Sequence, residues 1–124
     1  MFLTNKRKGI KMSTRRMFNK QIIYRFDFVR MSASAQRLYQ YLIFEADDDG
    51  FVEKPDKIID MAYASAKDYE ELKDCGFVHE FRSGVCVIIH WLYHNTIYRD
   101  GYLPTKFRAE YAQLKIAGGE YQPL

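Results

Sequence analysis

The sequence predicts an α+β fold, because helical patterns fill its first half and β-branched runs follow them. Three features carry this prediction: an apolar stripe that begins at residue 35, a capping motif at residue 65 and a hairpin pattern around residue 83. The 124 residues, of which 48% are hydrophobic, suffice for one domain with a buried core. The 16% aromatic content indicates rings in that core or rings exposed for stacking.

The first helix follows a long stretch without regular hydrophobic spacing. Residues 1–16 are basic and aperiodic, which predicts a flexible arm, and residues 17–31 predict an extended segment. Either Ser32 or Ser34 can cap the helix that follows. Its apolar face has the spacing i, i+3, i+4, i+7 and i+8 and comprises Ala35, Leu38, Tyr39, Leu42 and Ile43.

A short strand and a second helix come next. The acidic turn at residues 46–50 ends the first helix, and residues 51–52 have room only for a short strand. Pro55 suits the first turn of a second helix. The apolar face of this helix comprises Ile58, Ile59, Met61 and Ala62.

A third helix and a hairpin complete the pattern. Ser65 and Asp68 match a capping box that begins the helix, and Gly76 ends it. Two β-rich runs, residues 77–81 and 85–91, flank a three-residue turn that contains glycine, which predicts a hairpin.

The C-terminal part has weaker signals. We expect a loop at residues 95–101, a last helix at residues 104–114 and a frayed end at residues 118–124.

This order of elements is that of a winged helix-turn-helix, here with a basic N-terminal arm and an extra C-terminal helix. In such a domain the third helix enters the major groove of DNA and the hairpin, or wing, lies along the backbone. The sequence thus divides into a flexible arm at 1–16, a winged-helix domain at 17–116 and a C-terminal tail at 117–124.

The net charge of +3 conceals a strong segregation of charge along the chain. Residues 1–40 hold ten basic residues and one acid, whereas residues 41–80 hold four basic residues and twelve acids. A basic segment this dense is typical of phosphate binding. The residues predicted to bind DNA lie in the arm, the third helix and the wing: Arg15, Arg16, Lys20, Ser65, Lys67, Lys73 and Arg82.

Aromatic residues interleave with these basic residues near the N-terminus. The rings that could stack on exposed bases are Phe2, Phe18, Tyr24, Phe26 and Phe28. Single-stranded DNA is therefore a second candidate partner beside double-stranded DNA.

Several motifs add a family resemblance. They are Arg15-Arg16-Met17-Phe18 followed by Lys20, Ser34-Ala35-Gln36 with Leu38-Tyr39, Ala46-Asp47-Asp48-Asp49-Gly50-Phe51 followed by Pro55, Gly84-Val85 with His90-Trp91, and His94-Asn95 with Ile97, Asp100, Tyr102, Pro104 and Thr105. From about residue 15 to 114 the chain resembles the N-terminal domain of phage replisome organizer proteins, replication initiators related to the bacterial initiation protein DnaD. The resemblance implies binding of replication-origin DNA, contacts with replication proteins and homo-oligomers at clustered repeats.

The charge of the third helix supports an alternative. Lys67 and Lys73 are outnumbered by four acids, Asp68, Glu70, Glu71 and Asp74. If these acids form one exposed face, they could mimic phosphate and bind a host protein. The chain would then be a phage protein-interaction module or an inhibitor of a host nucleic-acid enzyme, such as an anti-CRISPR protein.

Metal binding and catalysis have little support in the sequence. Glu45, Asp47, Asp49 and Asp56 approximate a calcium loop, which we interpret as a solvated turn. The pattern C-x10-C-x3-H-x3-H lacks the close cysteine spacing of structural zinc sites, so we expect histidines of the core or of the wing and not metal ligands. No Gly-rich phosphate loop or nucleophile elbow is found, so we expect neither a cofactor nor an enzyme activity.

The sequence also predicts a cytoplasmic location in the host bacterial cell. No apolar signal segment precedes Ser13, and two cysteines are compatible with a reducing compartment. The longest apolar stretch, residues 85–89, is far shorter than the roughly 20 residues of a membrane span.

Overall fold

The computed structural model describes residues 15–95 and 101–124, and it has an α+β architecture. The helices in these ranges are α1 (Lys20–Ile23), α2 (Phe26–Val29), α3 (Ala33–Glu45), α4 (Pro55–Met61), α5 (Ala66–Asp74), α6 (Trp91–His94) and α7 (Arg108–Tyr111). The strands are β1 (Phe51–Val52), β2 (Val78–Glu80), β3 (Cys86–Ile88), β4 (Leu114–Ala117) and β5 (Glu120–Pro123). None of the helices in the described ranges has the length and apolar character needed to cross a membrane.

Helix α3 is the centre of the core, as its apolar stripe predicts. Ser32 is the N-cap, and its hydroxyl oxygen accepts a hydrogen bond from the Ala35 amide at 3.1 Å. All five residues of the stripe are buried, and the helix packs against α4 and α5. The Tyr39 ring contacts the rings of Phe28 and Phe77, with centroids 5.2 and 5.5 Å away.

A three-stranded antiparallel sheet covers one side of this core. Strand β3 lies in the middle, with β1 on one edge and β2 on the other. Val87 of β3 pairs with Phe51 of β1 and with His79 of β2. The predicted short strand and hairpin are therefore confirmed, and β1 joins the hairpin in one sheet.

The prediction of an extended segment at residues 17–31 is wrong, because this part of the chain forms the helices α1 and α2. The Asn19 side chain caps α1 by accepting from the Gln21 amide at 2.7 Å. Each helix is one turn long and buries one residue, Ile22 or Phe28. Such short helices depend on tertiary packing and are too short to show a hydrophobic period.

The C-terminal predictions also need correction. The helix expected at residues 104–114 is the single turn α7, and the end expected to fray forms β5, which pairs with β4. Gly118 and Gly119 have φ of 61° and 82°, the left-handed values that a tight hairpin turn requires. The glycines that suggested fraying therefore form the turn. Residues 1–14 of the predicted arm and 96–100 of the predicted loop lie outside the described residues.

Candidate nucleic-acid interface

The turn between α4 and α5 is fixed by the predicted capping box. The Asp68 amide donates to the Ser65 hydroxyl oxygen at 3.2 Å, and the Ser65 amide donates to the Asp68 carboxylate at 2.9 Å. These two bonds satisfy two of the backbone donors that a helix start leaves unpaired. They hold the first turn of α5 in place on the side of the molecule where α3 begins.

Tyr63 projects from this turn into solvent. Its φ of 53° lies in the left-handed region, which favours glycine, and 88% of the residue is exposed. The backbone turn is closed by a hydrogen bond from the Tyr63 amide to the Asp60 carbonyl at 3.1 Å. Tyr63 was not among the residues predicted to bind DNA, although a bulky side chain in so short a connection was an available signal.

Arg37 reaches the same turn from α3. Its Nε donates to the Ala62 carbonyl at 2.9 Å, and the residue is otherwise exposed. The guanidinium group therefore lies beside Tyr63, next to the start of α5. Arg37 was also missed, and its place outside the apolar stripe of α3 was the signal that could have found it.

The acids of α5 do not form the single exposed face that the protein-binding alternative requires. Asp68 is buried, and it also accepts a hydrogen bond from the Ser32 hydroxyl at 3.1 Å. Glu70 and Asp74 are exposed, whereas Glu71 is half-buried. The acid nearest the start of α5 is thus removed from the surface, and exposed Lys67 remains in that first turn.

Lys73 is engaged by carboxylates at the other end of α5. Its Nζ lies 2.9 Å from both Glu70 Oε2 and Glu80 Oε1. Hydrogen bonds to Glu70 and then Glu80 raise the pKa of Lys73 above its usual value. Lys73, which was predicted to bind DNA, therefore links α5 to β2 through its ion pair with Glu80.

The tip of the β2–β3 hairpin carries Arg82, which is exposed. The neighbouring Ser83 hydroxyl donates to the Glu110 carboxylate of α7 at 2.7 Å. Because the Lys73–Glu80 pair holds β2 against α5, the tip is anchored on both sides.

The predicted arm residues are not brought together. Arg16 is 11% exposed at its side chain; it donates to the Ala46 carbonyl at 2.8 Å and pairs with Asp48 at 3.2 Å. Its guanidinium group also lies 5.1 Å from the Trp91 ring. Arg15 and Lys20 are exposed, and Lys20 belongs to α1. Of the predicted set, Ser65 and Lys67 lie together at the start of α5.

The acidic turn after α3 is a structural hub and not the solvated turn that we expected. Asp49 is 2% exposed, and its carboxylate accepts from the Tyr102 hydroxyl at 2.8 Å and from the Thr105 amide at 2.8 Å. Asp47 accepts from the Thr105 hydroxyl at 2.6 Å. Burial raises the pKa of Asp47, although hydrogen bonds from Thr105, Phe51 and Asp49 oppose this. The donors to these carboxylates, Tyr102 and Thr105, are more than 50 positions away in the sequence, so the local pattern of residues could not reveal these hydrogen bonds.

A cavity of about 350 Å³ opens beside this hub. Its charged lining residues are the acids Glu45, Asp47, Asp48 and Glu53 and the bases Arg16 and Lys106. The four carboxylates outnumber the two cations, which pair with Asp48 and Glu53, so the cavity is unsuited to phosphate. Helix α3, whose 13 residues span about 20 Å, separates the hub from Ser32 and the start of α5.

His90 and His94 lie in the core, and His79 is half-buried on β2. His94 Nδ1 accepts from the Asn19 amide at 2.8 Å, and its Nε2 lies 2.8 Å from the Tyr39 hydroxyl. Burial and then the charge of His90 lower the pKa of His94 to about 4. Cys86 is buried in β3 and Cys75 is exposed after α5. In the described part of the chain, no three histidine, cysteine or acidic residues are grouped as metal ligands.

Comparisons of the chain with models of protein families, with curated proteins and with solved structures find no significant match.

Proposed function

We propose that this chain is a winged helix-turn-helix domain that binds double-stranded DNA in phage or prophage replication, as a replisome organizer does. The observation that carries the proposal is the distribution of charge at the start of α5. Asp68 is turned inward, and the exposed residues there include the bases Lys67 and Arg37, the ring of Tyr63 and one acid, Asp60. The element order supports the proposal, since the α4–turn–α5 unit is followed by the β2–β3 hairpin.

The interaction begins with the phosphate backbone. Lys67 and Arg37 neutralise phosphates on either side of the α4–α5 turn, and the Tyr63 hydroxyl donates to a phosphate or sugar oxygen. Arg82 makes a further contact from the hairpin tip. The acidic hub at residues 47–49 does not repel the duplex, because it lies at the far end of α3, about 20 Å away and beyond the screening length at physiological salt.

The protein-interaction alternative receives less support. It needs an exposed acidic face on α5, but Asp68 is buried and Glu70 is paired with Lys73. Glu71 and Asp74 remain, which is a small patch for phosphate mimicry.

A salt series tests the DNA proposal. We would measure fluorescence anisotropy of a labelled duplex of mixed sequence, two helical turns long, with the full chain and with Arg37→Ala/Lys67→Ala. Each lost phosphate contact is expected to reduce the slope of log K against log salt by about 0.9. The matched control is Lys57→Ala/Lys115→Ala, which removes two exposed lysines outside the proposed interface. Equal slopes for both double variants, or no binding by the wild-type chain at low salt, would overturn the proposal.

A further inference from the structure

Two large rings stand exposed at the junction of α1 and α2. Tyr24 is 68% exposed and Phe26 is 73% exposed, and both lie far from the α4–α5 turn in sequence. Aromatic side chains of this size are usually at least partly buried, because their burial is strongly stabilising. Neither residue has a place in the duplex interface proposed above.

Arg25 lies between the two exposed rings in the sequence and contacts the core. Arg25 has an extended backbone, with φ of −60° and ψ of 143°. Its half-buried side chain places the guanidinium group 5.3 Å from the Phe77 ring, with Nη1 3.2 Å from His90 Nε2. Tyr24 and Phe26 flank Arg25 in the sequence, and both of their side chains are exposed to solvent. Their Cα atoms are then at most about 7 Å apart.

Each ring has its own cation. Lys20 Nζ lies 5.9 Å from the Tyr24 ring, and the Arg30 guanidinium lies 5.0 Å from the Phe26 ring. The acid between them, Asp27, is neutralised by Arg25 at 2.8 Å. Along the chain, the two rings therefore lie between the cations Lys20 and Arg30, and the acid in this stretch, Asp27, is paired with Arg25.

We propose that this aromatic–basic surface, Lys20, Tyr24, Phe26 and Arg30, binds a single-stranded nucleic acid. Bases stack on the two rings, and phosphates on either side meet Lys20 and Arg30. Base faces are accessible only when a strand is unpaired, so the rings select single strands while the cations supply the attraction to phosphate. This surface shares no residue with the proposed duplex interface, because its four side chains belong to α1, α2 and the residues that end them.

The experiment is an anisotropy titration of the full chain with labelled oligothymidylate and, in parallel, oligouridylate. These probes have little structure of their own, and their comparison distinguishes DNA from RNA as the preferred source of the strand. Tyr24→Ala/Phe26→Ala is the test variant. Because each base stacked on a ring contributes about five- to 150-fold in affinity, the variant should lose at least tenfold. The conservative variant Tyr24→Phe/Phe26→Tyr should retain binding.

The matched control is Tyr63→Ala, which removes an even more exposed ring from the α4–α5 turn. It should leave single-strand binding unchanged, whereas Tyr24→Ala/Phe26→Ala should leave duplex binding unchanged. The inference is overturned if Tyr24→Ala/Phe26→Ala binds both single strands as tightly as the wild-type chain, or if the wild-type chain binds neither. Thermal unfolding of each variant verifies that the fold is intact, which the exposure of both rings leads us to expect.

Discussion

Ser32 and Asp68 are joined by a hydrogen bond of 3.1 Å that links the N-cap of α3 to the first turn of α5. The same carboxylate accepts from the Ser65 amide, so one side chain supports the starts of two helices. Burial raises the pKa of Asp68, but hydrogen bonds from the Ser65 backbone and from the hydroxyls of Ser34, Ser32 and Ser65 outweigh it. The pKa is therefore below its usual value.

Asp68→Ala should reduce the free energy of unfolding by about 1–2 kcal/mol near neutral pH, because it removes the capping box. Since the folded state holds the pKa of Asp68 below the unfolded value of 3.8, this stabilisation is present above that pH and is lost as the pH falls through and below it. Urea titrations of wild type and variant, at neutral pH and at a pH below 3.8, measure the difference in the free energy of unfolding. Asp74→Ala, an exposed acid of the same helix, is the control, and an equal loss there would contradict the role of Asp68.

Tyr63→Gly should separate stability from duplex binding. Glycine relieves about 1–2 kcal/mol of left-handed strain and costs about 0.5–1 kcal/mol of backbone entropy, so stability should rise by no more than about 1.5 kcal/mol. Duplex affinity should fall several-fold because the ring and hydroxyl are lost. Thermal unfolding and anisotropy measure the two effects, and Tyr63→Phe isolates the hydroxyl. Wild-type duplex affinity in Tyr63→Gly would exclude the turn from the interface.

Gly50→Ala should destabilise the protein severely. Gly50 has φ of 91°, and a Cβ there would lie 2.6 Å from Cγ of the buried Trp91. Strain and overpacking together should cost about 3–5 kcal/mol in a urea titration. Gly84 has a similar φ of 93° with open space around it, so Gly84→Ala should cost only about 1–2 kcal/mol. Similar losses for the two variants would show that Trp91 yields to the new methyl group.

The pH dependence of stability should report on His94. Its pKa is about 4 in the folded protein and 6.5 when unfolded, so the unfolded state binds more protons between these values. Stability should therefore decrease by a few kcal/mol as the pH falls from 6.5 towards 4. His90, whose pKa burial also lowers, acts in the same direction. Urea titrations across this range should show a shallower decrease for His94→Gln, and an unchanged decrease would mean that His94 is not the responsible group.

Tyr121→Phe tests whether the C-terminal hairpin belongs to the folded core. The Tyr121 hydroxyl donates to the Asp49 carbonyl at 2.8 Å in a buried position. Its loss should cost about 1–3 kcal/mol in the free energy of unfolding, because the carbonyl loses its partner away from water. Leu124→Ala, at a residue that is 82% exposed, should have almost no effect. Equal stability of wild type and Tyr121→Phe would instead be the behaviour of a frayed end.

Local sequence patterns predicted the elements that have a repeated hydrophobic spacing, a capping motif or a characteristic turn. The stripe from Ala35 to Ile43, Pro55 in the first turn of α4, the capping box at Ser65 and the hairpin around Gly84 were all found from neighbours in sequence. One-turn helices such as α1 show no such repeat. The glycine pair at 118–119 suggested disorder, because the β4 and β5 strands on either side of it are too short to show a clear pattern in the sequence.

The sequence by itself determined the α+β class, the order of the central elements and the ends of α3 and α5, because capping and hydrophobic spacing act between residues three or four positions apart. Only the tertiary structure decided where the charges lie. Asp68 turns towards Ser32, Arg16 towards Asp48, and Asp49 towards Thr105, partners 36, 32 and 56 positions away. These pairings depend on which polar groups become buried when the helices pack and therefore need a hydrogen-bond partner, and only the assembled core determines this.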